Sequence, residues 1–160
     1  MIALDRRLPP NPQAAVAELL LLTAEERMRS RHRFVTPSGM AVQLLLPRGT
    51  VLHDNDLLSA ADGGMLVRVK ARPEPVLTAR AMNVSDLVRA AYHLGNRHVA
   101  LELGPDYLRL SPDPVLADLL QKLGLAVIED TAPFAPEGGA YATHPHSQNS
   151  QTHVPFRAHR

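Results

Sequence analysis

The stretch Asn83-Val84-Ser85-Asp86-Leu87-Val88-Arg89-Ala90-Ala91-Tyr92-His93-Leu94-Gly95-Asn96-Arg97-His98-Val99 decides how this chain is read. Val84, Leu87, Val88, Ala91 and Leu94 recur at helical spacing and turn one apolar face toward a core. Ser85 is a helix-capping residue type, and Asp86 suits the first turn, where a carboxylate meets the positive end of the helix dipole. Gly95 is read as the stop, because glycine takes the left-handed conformation that ends many helices. Val99, Leu101 and Leu103 then alternate with Ala100 and Glu102, as in a strand. Two imidazoles, His93 and His98, stand five residues apart across that helix-to-strand turn. Neutral imidazole is the commonest side-chain metal ligand and titrates near physiological pH. A pair of ordinary surface histidines is the competing reading, since two imidazoles do not close a four-ligand site.

Working outward, Val76 to Ala81 reads as a strand before this helix, and Tyr107 to Leu110 as a strand after the Gly104-Pro105-Asp106 turn. Ser111-Pro112-Asp113-Pro114 opens a second helix, with Asp113 as cap and Pro114 at the first helical position. Its stripe is Leu116, Leu119, Leu120 and Leu123; Gly124 ends it, and Leu125 to Ile128 is the last strand. The order βαββαβ is the ferredoxin-like plan, two split crossovers making one antiparallel sheet with both helices on one face.

Arg72-Pro73-Glu74-Pro75 is the boundary upstream, because two prolines in four residues stiffen the chain and favour extended backbone. Before it lie only strand and turn patterns: Val16 to Leu22, a hairpin from Phe34 to Leu46 turning at Pro37-Ser38-Gly39, Leu57 to Ala60, and Met65 to Ala71. Residues 1–13 read as a loose leader. The arginines of Arg27-Met28-Arg29-Ser30-Arg31-His32-Arg33 recur every second residue and on a strand would share one face, either a docking surface for an acidic partner or a solvated face. His53, in the turn-like His53-Asp54-Asn55-Asp56, reads as a surface residue. Beyond Thr131, prolines and glycines break regular structure, and His144, His146, His153 and His159 stand among Ser, Gln, Asn and Thr. The expected class is α+β: an all-β domain over 1–74, a ferredoxin-like metal-binding domain over 75–132, and a disordered His-bearing tail over 133–160.

Composition narrows the chemistry. The 160 residues suffice for one ordinary domain or two small ones. Hydrophobic residues make up 45% and aromatics 4%, with no Trp, so the core must be aliphatic. A formal net charge of +1 argues against a dedicated nucleic-acid binder. With no Cys there is no disulfide, thiolate site or thiol nucleophile, and a metal must take His, carboxylate or backbone ligands, a set that suits Ni, Zn, Cu or Co. The segment Met1 to Pro12 lacks the apolar core of a secretory signal, and the apolar run around Ala14–Leu22 is too short to span a bilayer, so a cytoplasmic protein off the membrane is expected. Glu102 and Asp106 are accounted for by strand and turn positions and pair with no nucleophile, so an enzyme is not expected.

Tyr92-His93-Leu94-Gly95-Asn96-Arg97-His98, followed by a strand, resembles the signature of the UreE family of urease accessory nickel chaperones. Leu46-Pro47-Arg48-Gly49-Thr50-Val51-Leu52, Val69-Lys70-Ala71-Arg72-Pro73-Glu74-Pro75-Val76 and Pro133-Phe134-Ala135-Pro136-Glu137-Gly138-Gly139-Ala140-Tyr141 resemble further family segments, so the resemblance covers roughly residues 15–146. It implies an amino-terminal domain like the peptide-binding domain of certain heat-shock co-chaperones, and a homodimer joined through the second domain. It implies that His98 meets its symmetry mate and that the two bind one metal, since an isologous interface sets any residue near its axis beside its own copy. His144 and His146 are the nearest tail donors, with His153 and His159 as additional ones, and His93 is either a weaker peripheral ligand or a partner of the helix terminus.

The implied cargo is Ni(II), with Zn(II) or Cu(II) competing for the same imidazoles. The implied function is delivery of Ni(II) for assembly of the urease active site, with the urease accessory GTPase and the urease apoprotein maturation complex as partners. The alternative is a peptide-binding or assembly scaffold of that complex whose metal binding is incidental. Some family members carry a histidine pair where this chain has Ser111-Pro112-Asp113-Pro114, and some a long polyhistidine tail where this one has four scattered histidines, so few ions per dimer are expected.

Overall fold

A computed structural model of the chain describes residues 1–138. The first half comprises β1 (Ile2–Leu4), β2 (Arg6–Leu8), β3 (Glu18–Leu22), the single-turn helix α1 (Ala24–Arg27), β4 (Arg33–Val35), β5 (Ala41–Leu44), β6 (Leu57–Ser59) and β7 (Leu66–Ala71). These strands form two sheets, in the orders β1-β5-β4 and β2-β6-β7-β3. β1 runs parallel to β5 and β3 parallel to β7. Alternation along the strands sends Leu4, Leu20, Leu22, Val42, Leu44, Val67 and Val69 into one core with Phe34, Leu46, Leu52 and Leu58. Each fully buried aliphatic side chain contributes about 2 kcal/mol.

Two expectations change here. The start of residues 1–13 is not loose: over residues 2–8, β1 pairs with β5 and β2 with β6, while residues 9–13 lie outside the strands. The arginine run does not share a strand face, because a capping box at Thr23 and Glu26 starts α1 and its last residue, Arg27, is buried at 4% exposure. Arg31 and Arg33 do lie exposed.

The second half comprises β8 (Glu74–Arg80), α2 (Val84–Gly95), β9 (Glu102–Leu103), β10 (Tyr107–Leu110), α3 (Pro114–Lys122) and β11 (Ala126–Ala132). Its sheet has the order β11-β8-β10-β9 with all neighbours antiparallel. Leu77 and Ala79 sit opposite Leu110 and Leu108 in register, and these four share one core with Ala90 and Leu94 of α2 and Leu120 of α3. Both helices therefore cover the same face of the sheet. The two cores part between Val69 and Leu77, yet no separate linker is inserted, since β8 already begins at Glu74 and includes Pro75. Pro75 is tolerated because β10 meets β8 only from Leu77 onward, leaving one side of the proline with no strand to donate to.

The whole is a mixed α+β fold with several sheets and few helices. Among the described residues no helix is long and apolar enough to cross a membrane.

Candidate metal centre

Helix α2 carries His93 and the turn that ends it carries His98, and both ends of the helix differ from expectation. Asn83, not Ser85, is the cap: its side-chain oxygen accepts from the Asp86 N–H at 2.9 Å. The expected apolar stripe splits in two. Leu87, Ala90, Ala91 and Leu94 pack on the core, whereas Val84, Val88 and Tyr92 are 70%, 61% and 65% exposed. Spaced four apart, these three form a second, outward apolar row along the helix.

At the far end, Gly95 remains helical, and the left-handed residue is His98, with φ +55°. The His98 N–H donates to the Gly95 carbonyl at 2.9 Å and the Val99 N–H to the Leu94 carbonyl at 3.2 Å. That bond pair is the Schellman ending, in which the left-handed position is usually glycine. Helix α3 ends the same way with the usual residue: Gly124 has φ +89°, its N–H reaches the Gln121 carbonyl at 2.9 Å, and the Leu125 N–H reaches that of Leu120 at 3.0 Å. A side chain in this conformation costs about 1 kcal/mol. Leu94 and Val99 both pack on the core, which pins the turn and leaves His98 exposed at its tip.

His93 is half-buried in the last turn of α2, with its ring edge-on to that of Tyr92 at 5.4 Å between centroids. The His93 carbonyl accepts from Arg97 Nη1 at 2.8 Å. Arg97 thus satisfies a terminal carbonyl and sets a positive charge at the negative end of the helix dipole. His53 is exposed, and its backbone N–H donates to Asp56 Oδ2 at 2.7 Å. Among the described residues no three His, Asp or Glu side chains are grouped to hold a metal ion. His98 and His93 are therefore not joined by a third donor within them, and His144, His146, His153 and His159 lie outside the described residues.

The sheet face opposite the helices holds polar residues that sequence patterns did not mark. Glu102 Oε1 accepts from the Tyr107 hydroxyl at 2.8 Å and from Arg109 Nη1 at 3.0 Å. The hydrogen bond to Glu102, with burial adding to it, raises the Tyr107 pKa. The Tyr107 ring lies against Gly104, where an added Cβ would fall 2.2 Å from Cε1. Residues 133–137 run over to this cluster. Arg109 Nη1 donates to the Pro133 carbonyl at 3.1 Å, Arg27 Nη2 donates to the Phe134 carbonyl, the Ala135 N–H donates to Glu102 Oε2 at 2.8 Å, and the Glu137 N–H to the Leu101 carbonyl at 2.6 Å. Burial pushes the Arg27 pKa down, against the pull of Glu74, Asp54, Glu102 and Asp56.

The chain is similar to known proteins over most of its length. Residues 4–72 match the family model "UreE urease accessory protein, N-terminal domain", and residues 74–160 match "UreE urease accessory protein, C-terminal domain". The chain is 54% identical over 147 residues to "Urease accessory protein UreE" of Nostoc sp., covering 91% of this chain and 100% of that protein. It is 52% identical over 147 residues to the protein of the same name from Microcystis aeruginosa, covering 88% and 92%. Against that of Burkholderia orbicola it is 51% identical over 146 residues, covering 88% and 71%.

Proposed function

The chain belongs to the UreE urease accessory protein family, and from that membership and the geometry of His98 we propose that it is a cytoplasmic homodimeric carrier delivering Ni(II) for assembly of the urease active site. The family and its relatives carry the name urease accessory protein, and the chain is an accessory protein rather than an enzyme. The observation that carries the reading is His98 in the left-handed position of the α2 ending. The homologous position of α3 shows that glycine serves the backbone there. An imidazole kept at a strained, exposed turn is accounted for by a task for the ring, and strained conformations concentrate at functional sites.

In this reading the second half is a ferredoxin-like domain, supported by the βαββαβ order with strands ranked fourth, first, third, second across the sheet. The domains are 1–74 and 75–132, with the chain beyond as a His-bearing tail. The outward row Val84, Val88 and Tyr92 supports pairing of two copies along α2. Pairing there brings His98 and its copy to one ion, with His144 and His146 completing the shell and His93 peripheral. Neutral imidazoles without thiolates suit a site that must release its cargo, which Zn(II) and Cu(II) also fit. The recipients are the urease accessory GTPase and the apoprotein maturation complex.

A second reading, a peptide-binding scaffold of that complex, is favoured by β3. Among the described residues this strand pairs only with β7; it exposes Leu19 and Leu21 and borders a cleft of about 280 Å³ lined by Val16, Ala17, Glu18, Leu19, Pro37 and Ser38.

One variant separates the two. Calorimetric titration of His98→Ala with Ni(II) is expected to lose the tightest binding step, and the same variant is expected to fail to support urease activation in nickel-limited cells. Unchanged binding would refute the carrier site. Lost binding with full activation would favour the scaffold.

A further inference from the structure

The face of the sheet opposite the helices offers a second device, and it rests on the carrier reading just given. β11 ends at Ala132, opposite Glu74, on one edge of the sheet. Leu101 precedes β9 on the other edge. Three strand spacings, about 14 Å, separate the two edges. Residues 133–137 make this crossing, and along it Pro133, Phe134, Ala135 and Glu137 each give a backbone group to a partner. Three of those partners are charged side chains from three separate elements: Arg109 of β10, Arg27 of α1 and Glu102 of β9. Phe134 is 3% exposed, so the crossing is packed down as well as hydrogen-bonded. A guanidinium as deeply buried as Arg27 is rarely found without a dedicated acceptor, and the Phe134 carbonyl is one.

We propose that Glu102, Arg109 and Arg27 form a latch that fixes where the His-bearing chain end begins, beside the turn that presents His98. Glu102 is then a positioning residue for the tail donors. Chain lengths show why the placement matters. Leu101 is three residues from His98, at most about 11 Å of extended chain, and Glu137 is bonded to it. His144 follows Glu137 by seven residues, which reach at most about 25 Å. With the latch open, the last fixed point is Ala132, on the far edge and twelve residues from His144. Effective concentration falls roughly as the −3/2 power of tether length, about twofold here, and the displaced anchor lowers it further. Because Arg27 belongs to the first half of the chain, the latch also ties the tail root to the sheets expected to dock partners.

The test uses the full chain. Glu102→Gln keeps the side-chain shape and an acceptor for Arg109 but removes the second oxygen that holds the Ala135 N–H; Arg27→Met removes the grip from the other half. Each is expected to weaken the tightest Ni(II) step measured by calorimetry two- to tenfold, and to have no effect when His144→Ala and His146→Ala are already present. Unchanged affinity, or the same loss in both backgrounds, overturns the latch. Amide hydrogen exchange at Ala135 and Glu137 reads it without metal: protection in the wild type that is lost in Glu102→Gln is expected. Unprotected wild-type amides overturn the proposal whatever the metal does. Protected amides in a chain with no His98-dependent Ni(II) step would instead fault the carrier reading.

Discussion

At His98 the backbone and the proposed function pull in opposite directions. The backbone wants glycine, as α3 has at Gly124, and a ligand role wants imidazole. His98→Gly relieves about 1 kcal/mol of left-handed strain and loses part of that to the freer unfolded chain. In urea unfolding, His98→Gly is expected to be as stable as the wild type or up to about 1 kcal/mol more stable, while binding of Ni(II) falls. A clear loss of stability would mean that the imidazole serves the fold. The left-handed residue is legible in the sequence, although Gly95 is the more usual residue type for a helix stop. Leu94-Gly95-Asn96-Arg97-His98-Val99 and Leu120-Gln121-Lys122-Leu123-Gly124-Leu125 share an apolar pair five apart, with the left-handed residue just before the second member. Arg97, by contrast, takes its role from a carbonyl one turn back, which residue type alone does not signal.

Elements were readable where their signals are local. Asp113 and Pro114 mark the start of α3, and Asp113 Oδ1 does accept from the Val115 and Leu116 N–H groups at 2.8 and 3.0 Å. β1 and β2 were not readable: three residues are too few to show alternation, and their partners β5 and β6 lie far along the chain. Val84 and Val88 fit a helical stripe yet face outward, because periodicity marks an apolar row without saying whether the same chain covers it. The latch residues carry no sequence signal, since their partners are backbone groups brought together only by the sheet. The turn before β6 shows how such a long-range tie responds to pH. Asp54 accepts from Lys70 Nζ at 2.9 Å and from the Ala71 N–H at 2.8 Å. Burial opposes its ionisation, but these two bonds and the Lys70 charge outweigh it and lower its pKa. The folded pKa thus lies below the unfolded value of about 3.9, so the contribution is full above that value and is lost as pH falls through the folded one. The stability gap between wild type and Asp54→Asn is expected to be constant from about pH 5 to 7 and to shrink below about pH 4. A gap independent of pH would remove Asp54 from the acid response.

For the whole molecule, the described residues supply one exposed, strained imidazole and an outward apolar row on the same helix, and no complete metal site. The proposed twofold pairing would resolve all three features: it would cover Val84, Val88 and Tyr92, double His98, and make the ion a product of assembly. The proposed arrangement comes from the family resemblance alone, because spacing along one chain does not encode a ligand set shared between two. Native mass spectrometry of the full chain with titrated Ni(II) tests it most directly, since it reports oligomer and metal count together. The wild type is expected as a dimer whose first uptake is one Ni(II) per two chains, with His98→Ala still dimeric but lacking that first ion. A monomer that takes up Ni(II), or a His98→Ala dimer that binds the first ion as the wild type does, would contradict it.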